Sequence, residues 1–290
     1  NPHQKAALYK ESNANGSFIN QLHGKELSYN NYIDIEAAVS ILQEFTLPGA
    51  VIIKHTNPCG AAIAESLKEA YVNAYNADKQ SAFGSIVGLN KNVDLETATE
   101  LSKTFIEVIV APSFEDDALD LLKKKTNLRL LTCDLQSNAN LKLRDMANQL
   151  LVQTKDDLSL TKDNLNYVTN TQPNQKQIND LLFGFALVKH VKSNAILIVK
   201  DGKTVGIGAG QMSRVDSVEI ALKKAGDLAK GACLASDAFF PFKDSIELCA
   251  KHEIAAIIQP GGSKRDEESI VCCNENNVSM VFTNSRHFKH

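Results

Sequence analysis

Lys54-His55-Thr56-Asn57-Pro58-Cys59-Gly60 follows the apolar run Val51-Ile52-Ile53. A short apolar run rich in β-branched residues suits a buried strand. That strand ends in an ammonium and an imidazole. Proline fixes φ and glycine admits unusual backbone angles, so Asn-Pro and Cys-Gly are expected to turn the chain. Beyond Ala61-Ala62-Ile63-Ala64, Ser66 and Glu69 have capping-box spacing, and Leu67, Ala70, Tyr71 and Ala74 recur at helical spacing. The stretch therefore reads as strand, turn and helix. Lys54 and His55 fall at the junction, where open α/β sheets place their ligands. A Lys-His pair in a polar loop is ordinarily solvated surface, whereas this pair closes an apolar strand.

The 290 residues suffice for one large or two ordinary domains. A hydrophobic fraction of 43% is that of a soluble globular chain. The formal charge of −3 argues against general nucleic-acid binding, which needs a basic footprint, yet leaves room for a local basic pocket. No apolar run approaches membrane-span length. No basic-then-apolar leader is present, and the opening at Asn1-Pro2 without Met leads us to expect missing upstream sequence. Cys59, Cys133, Cys233, Cys249, Cys272 and Cys273 form no C-x-x-C pair and mostly have apolar neighbours. Buried free thiols in a reducing cytosol are expected rather than a disulfide framework.

Residues 1–31 are polar and turn-rich, punctuated by Pro2, Asn13-Ala14-Asn15-Gly16 and Tyr29-Asn30-Asn31. His3 and His23 in this segment read as structural or exposed. Ile33 to Phe45 has helical spacing, with Ala37, Ile41 and Phe45 on one face, and Leu47-Pro48-Gly49 breaks it. After the central stretch, Ser81-Ala82-Phe83-Gly84-Ser85-Ile86-Val87-Gly88 reads as a tight loop entering a strand, with Gly84 allowing close approach of a backbone or a ligand. Thr97 to Phe105 looks helical. Glu107 to Pro112 is a buried strand with a carboxylate at its start, which taken alone reads as a solvated strand end; Asp116 to Lys124 is a helix, and Leu128 to Cys133 a short strand. Leu141 to Lys176 is polar and reads as a connector, with a strand near Leu150-Leu151-Val152.

A second run follows. Ile178, Leu181, Leu182, Phe185 and Val188 mark an amphipathic helix. Ala195 to Val199 is a strand, Asp201-Gly202 a turn, and Thr204 to Gly210 the return, before a helix carrying Val218, Ala221, Leu222 and Ala225. Ala235 to Phe242, the strand Ile254 to Ile258, the turn Pro260-Gly261-Gly262-Ser263 and the strand Val278 to Phe282 complete it. The halves rhyme. Each has a strand, a special turn, a helix, a small-residue loop with Phe, and an apolar strand running to Pro (Ala111-Pro112; Gln259-Pro260). The expected fold class is α/β, with one unit duplicated.

Gly206, Gly208 and Gly210 are spaced G-x-G-x-G, not the G-x-G-x-x-G of a dinucleotide fingerprint. Ending in Ser213-Arg214 at a helix start, the run suits an anion better, though a glycine-rich hairpin with an exposed arginine reads equally well. Pro58-Cys59 resembles half of a zinc deaminase motif, but position 62 is Ala62 and no H-x-E accompanies it, so zinc is not expected. Asp237 to Phe242 joins a carboxylate to several aromatic rings. Most such clusters are core; with Lys243-Asp244 following, this one could form a flat slot for a fused heteroaromatic ring. Arg286-His287-Phe288-Lys289-His290 taken alone is a frayed tail.

Together these motifs resemble one family. They are Asn1-Pro2-His3-Gln4, Leu22-His23-Gly24-Lys25-Glu26-Leu27-Ser28-Tyr29-Asn30-Asn31, the Lys-His-x-Asn-Pro-Cys-Gly stretch, Ser-Ala-Phe-Gly, Gly-Ile-Gly-Ala-Gly-Gln-x-Ser-Arg, Ser-Asp-Ala-Phe-Phe-Pro-Phe and the closing Arg-His-Phe-Lys-His. In this order they are similar to the AICAR (aminoimidazole carboxamide ribonucleotide) transformylase domain of the bifunctional purine-biosynthesis enzymes that also carry IMP cyclohydrolase. The resemblance covers nearly the whole chain. It implies two cytidine-deaminase-like subdomains without zinc, over 1–155 and 177–290, with 156–176 as connector. It also implies a cytoplasmic homodimer with active sites between subunits, and formyl transfer from 10-formyltetrahydrofolate to AICAR, giving FAICAR.

By match to the family motifs, His55 is the expected general base and Lys54 the transition-state stabiliser. Gly84, Glu107, Asn194, Arg214 and Arg286 are expected to contact the nucleotide. Val215, Phe239, Asp244, Ser263 and Lys264 are expected to contact the folate. The partners implied are these small molecules and a second copy of the chain, with no nucleic acid and no membrane. A monovalent cation is left open, and so is a non-catalytic nucleotide-binding fragment of the same fold. The Arg-Tyr-Gly that precedes Asn-Pro-His-Gln in the family, and the cyclohydrolase domain, are not among these residues. The expectation is weak nucleotide affinity and no formation of inosine monophosphate.

Overall fold

Ser28 starts the first helix. Its hydroxyl accepts from the Asn31 backbone N–H at 3.2 Å, and the Asn31 side-chain oxygen accepts from the Ser28 N–H at 3.0 Å. Two donors that a helix start leaves open are thereby satisfied. Tyr29-Asn30-Asn31 is thus the first turn of α1 (Tyr29–Leu42), not a loop. The computed structural model describes residues 3–9, 17–136 and 141–290; Asn1-Pro2 and the Asn13-Ala14-Asn15-Gly16 cluster lie outside the described residues. The chain divides into two units, Asn1–Leu135 and Gln136–His290.

In the first unit, β1 (Ile19–His23) precedes α1, and the hairpin β2 (Gly49–Lys54) and β3 (Asn57–Ile63) follows it. Then come α2 (Leu67–Ala77), β4 (Ser85–Leu89), α3 (Leu95–Ser102), β5 (Ile106–Ala111), α4 (Asp116–Lys123) and β6 (Arg129–Cys133). The sheet order is β1-β6-β5-β4-β2-β3. β4, β5 and β6 are parallel, while β2 is antiparallel to both β3 and β4. β1 was not legible in the polar opening segment; it pairs antiparallel with β6, Ile19 opposite Cys133.

The buried runs of β2, β4 and β5 fit strands covered on both faces. Ile52, Leu89, Ile109 and Leu130 are wholly buried in this unit's core, and each such side chain contributes about 1.5–3 kcal/mol relative to exposure.

The second unit starts with a separate hairpin, β7 (Leu141–Met146) and β8 (Gln149–Thr154), which includes the strand expected near Leu150. After the short β9 (Asn166–Tyr167) come α5 (Gln175–Val188), the hairpin β10 (Ile196–Lys200) and β11 (Lys203–Gly208), α6 (Arg214–Ala225), β12 (Cys233–Ser236), α7 (Asp244–Lys251), β13 (Ala256–Gln259), α8 (Asp266–Glu275) and β14 (Ser279–Phe282). The order is β11-β10-β12-β13-β14-β9. β12, β13 and β14 are parallel, and β10 is antiparallel to both β11 and β12. Ile196, Ile198, Phe240, Ile257 and Met280 fill its core.

Each unit therefore runs helix, hairpin, helix, strand, helix, strand, helix, strand. The fold is mixed α/β. All six cysteines are free thiols, buried except for the half-buried Cys59. Burial pushes the Cys133 and Cys273 thiols up to about 12. No helix among the described residues is long and apolar enough to cross a membrane.

Candidate active site

The β2–β3 hairpin turns on His55 and Thr56, whose φ values are 52° and 63°. Lys54 pairs with Asn57 across the turn. A two-residue hairpin loop of this hand needs positive φ at both central positions, which is why Asn-Gly and Asp-Gly are favoured there. His and Thr both carry a Cβ, and such left-handed residues cost about 1–3 kcal/mol each. The turn expected at Asn-Pro and Cys-Gly is instead a strand. Pro58 fits it because the register slips between the Ile53–Pro58 and Ile52–Gly60 pairs, and a bulge is one of the few places where a sheet accepts proline.

The junction is therefore a hairpin tip, not strand-turn-helix. Since β2 is antiparallel to β4, the tip lies where the parallel strands β4 and β5 begin. This is the opposite edge from the carboxyl end at which open parallel sheets bind ligands.

Lys54 is half-buried, and its Nζ donates to the carbonyls of Phe83 and Gly84, both at 2.9 Å. The Ser-Ala-Phe-Gly loop thus fixes the ammonium. A Cβ on Gly84, at φ +63°, would sit 3.4 Å from the Phe105 ring and 3.6 Å from Lys54 Nζ. His55 is exposed at the tip. Glu107 is half-buried as the second residue of β5.

A further carboxylate, missed in the sequence, joins this group. Asp34, half-buried on α1, accepts the Thr56 N–H at 2.6 Å. Burial pushes the Asp34 carboxyl above its usual value. The Thr56 hydrogen bond and the nearby His55 and Lys54 oppose the rise, and Glu107 adds to it. The first unit thus gathers Lys54, His55, Gly84 and Glu107 around one hairpin tip, with Asp34 beneath it.

In the second unit a cavity of about 600 Å³ is lined by Asn194, Arg214, Val215, Phe239, Asp244 and Arg286, together with Met212, Phe242 and Phe288. Ser263 and Lys264 do not line it. They stand in the β13–α8 loop, from which Arg265 reaches the cavity-lining Phe242, with its guanidinium carbon 5.0 Å from the ring centre. Arg214 opens α6 after the N-cap Ser213. It is buried, donates to the Asp237 carboxylate and to Ser236 Oγ at 2.9 Å, and reaches Asn194 Oδ1 at 2.7 Å. Asp237 is wholly buried, and a buried charge of this kind needs such a partner. Arg214 therefore orders Asn194 but spends its charge on Asp237, whereas the other lining arginine, Arg286, is exposed, with its guanidinium carbon 4.9 Å from the Phe288 ring centre.

Gly206 and Gly208 do not cradle a ligand. A Cβ there would lie 2.1 Å from the Ala221 carbonyl and 1.9 Å from that of Ser217, so these glycines let α6 lie against β11. The chain end is docked, not frayed. His287 is buried, its Nδ1 is 2.6 Å from the Asp156 carboxylate, and its ring packs on Phe185. Among the described residues, no three His, Cys, Asp or Glu side chains cluster as metal ligands would.

Residues 1–224 match the family model described as AICARFT/IMPCHase bienzyme. The chain is similar to proteins named bifunctional purine biosynthesis protein PurH. It is 52% identical to that of Oceanobacillus iheyensis over 295 residues, 53% to that of a Thermoanaerobacter species over 292, and 50% to that of Bacillus cytotoxicus over 295. Each alignment takes in 100% of this chain and 58% of the relative, so the chain spans little more than half the length of these curated relatives. Among solved structures, Acinetobacter baumannii RibD, form 2, aligns with 37% of this chain and 32% of that one, at 15% identity and a TM-score of 0.26. A likeness that small carries no argument.

Proposed function

The chain belongs to the AICARFT/IMPCHase bienzyme family, and on that premise we propose that it is a folate-dependent formyltransferase acting on AICAR. The observation that carries this reading is the pairing, at one hairpin tip, of an exposed imidazole with an ammonium held by two carbonyls. The 5-amino nitrogen of AICAR attacks the formyl carbon of 10-formyltetrahydrofolate, and a new C–N bond forms. His55 takes the amine proton, acting as general base from the exposed tip of the hairpin. Lys54 stabilises the oxyanion as it develops, and its fixed position avoids reorganisation during the reaction. The bond from the formyl carbon to N10 then breaks, N10 gains a proton, and FAICAR and tetrahydrofolate leave.

Gly84, Glu107, Asn194, Arg214 and Arg286 hold the nucleotide in this proposal, with Arg286 supplying an exposed guanidinium. Val215, Phe239, Asp244, Ser263 and Lys264 hold the folate. Phe239 and Phe242, which both line the cavity, suit a flat fused ring. The monovalent cation is given no site, and no step is drawn through it. The matching element order and strand pairing of the two units support duplication of one cytidine-deaminase-like unit. Free buried thiols support a cytoplasmic setting. A homodimer is part of the proposal.

The test is formyl transfer by this chain beside His55→Ala. Wild-type turnover that falls by about 10²–10⁴-fold in the variant, with AICAR binding kept, supports the enzyme. Binding without turnover in the wild type makes the chain a non-catalytic nucleotide-binding module.

A further inference from the structure

The β2–β3 turn has no residue suited to its own backbone. His55 and Thr56 both hold positive φ, and neither is glycine. Within the hairpin, Thr56 Oγ1 and Asn57 Nδ2 donate to the His55 carbonyl at 2.7 and 3.3 Å, and a group outside it bonds the turn directly. The Asp34 carboxylate accepts the Thr56 N–H at 2.6 Å from α1, the helix that packs on β2 and β4. The second unit repeats the device. Asp180 on α5 accepts the N–H groups of Asp201 and Gly202, the two turn residues of β10–β11, at 3.0 and 2.8 Å. Asp34 is the sixth residue of α1 and Asp180 the sixth of α5. In the second unit the strapped turn carries no imidazole, although Lys200 adjoins it as Lys54 adjoins His55 and Asp201 pairs with Lys176. In the first it carries His55, with Lys54 adjoining.

We infer that Asp34 is a positioning residue for the proposed formyl transfer. Its hydrogen bond to Thr56 holds the strained tip so that His55 and Lys54 meet the reacting atoms together. The inference rests on the formyltransferase reading for its catalytic consequence, but not for the hydrogen bond itself. The titratable groups facing Asp34 are His55 and Lys54 on the tip and Glu107 on β5. The Thr56 hydrogen bond gives the carboxylate a direction that charge alone does not. Rate is sensitive to such placement, because an error of about 1 Å costs on the order of 10²-fold.

Asp34→Ala and Asp34→Asn separate the hydrogen bond from the charge. An asparagine side-chain oxygen accepts the same N–H without the negative charge. The expected result is a kcat about 10–100-fold lower in Asp34→Ala, unchanged AICAR affinity, and recovery of most of the loss in Asp34→Asn. An unchanged kcat in Asp34→Ala overturns the inference, as does an Asp34→Asn variant as slow as Asp34→Ala.

The Thr56 amide of the ligand-free wild-type chain supplies a readout independent of turnover. Slow hydrogen exchange is expected in the wild type and Asp34→Asn, even if Asp34→Ala does not fold. Exchange at the rate of an open turn overturns the inference whether or not the chain is active. Protection of that amide without any wild-type turnover instead overturns the formyltransferase reading and leaves Asp34 as an anchor of the turn.

Discussion

In the β10–β11 hairpin the turn is Asp201-Gly202, and both N–H groups are held by a buried Asp180. In the β2–β3 hairpin the turn is His55-Thr56, with one N–H held by a half-buried Asp34. The strands beneath are alike. Gly60 and Gly206 each stand fourth in the returning strand. A Cβ on either would strike the backbone carbonyl of the eighth residue in the following helix, Ala74 or Ala221. One plan thus carries two kinds of tip. The second-unit tip uses the Asp-Gly chemistry that a tight hairpin prefers. The first departs from local preference at the two positions nearest the proposed chemistry, and backbone strain of that kind gathers at functional sites.

The hardest test of this contrast is to move one tip onto the other. Replacing His55-Thr56 by Asp-Gly installs the relaxed turn on the proposed catalytic hairpin. Turnover is expected to fall by about 10²–10⁴-fold, the contribution of a positioned base. Stability is expected to rise by about 1 kcal/mol as a Cβ leaves the left-handed region. Formyl-transfer rates and urea midpoints measure the two. Surviving turnover removes the imidazole from the chemistry and the contrast loses its meaning. A lower midpoint shows that the His-Thr tip is not strained.

Gly60→Ala and Gly206→Ala probe what the units share. A Cβ at 1.9 Å from the Ala74 carbonyl or 2.1 Å from that of Ala221 cannot be accommodated without moving a helix. Each is expected to cost about 3 kcal/mol in urea unfolding, at the upper end for overpacking. A tolerated Gly60→Ala beside a disruptive Gly206→Ala shows that the two helices are not equally constrained.

Strands and helices with strong periodicity are legible in the residues, whereas features set by partners distant in the chain are not. β2 and β10 were legible because unbroken apolar runs of that length suit strands covered on both faces, and β5 because Val108 to Ala111 is such a run after Glu107. β1 was not, because only its pairing with β6 makes Ile19–His23 a strand, and its residues alternate weakly. The hairpin was misread because Pro58 and Gly60 carry the strongest local turn signals, while the actual turn has none. Proline beside a bulge and glycine under a helix answer to tertiary contacts. The rhyme between the Phe-containing loops also dissolves, since Phe83 precedes β4 and Phe239 follows β12. Asp34 and Asp180 hid as polar residues inside helices. Their matched placement was visible only once both helices had defined starts.

The smallest expected effect concerns the two anchors and follows from how Asp34 titrates. Burial raises its folded-state value above the ordinary aspartate range, against the pull of Thr56, His55 and Lys54. A carboxyl whose folded value is raised binds its proton more tightly in the folded chain. That contribution to stability is complete below the unfolded value, about 4, and is lost as pH rises through the folded one. Asp34→Asn cannot ionise. It is therefore expected to gain stability on the wild type as pH rises through and just above that range, and to level off once Asp34 is fully ionised. Urea unfolding of both proteins across pH gives the difference curve. A curve falling over the same window means that the Thr56 hydrogen bond and the neighbouring Lys54 and His55 outweigh burial. Asp34 would then be a net-stabilised anion rather than a strained one, and the anchor of the first hairpin would owe as much to charge as to direction.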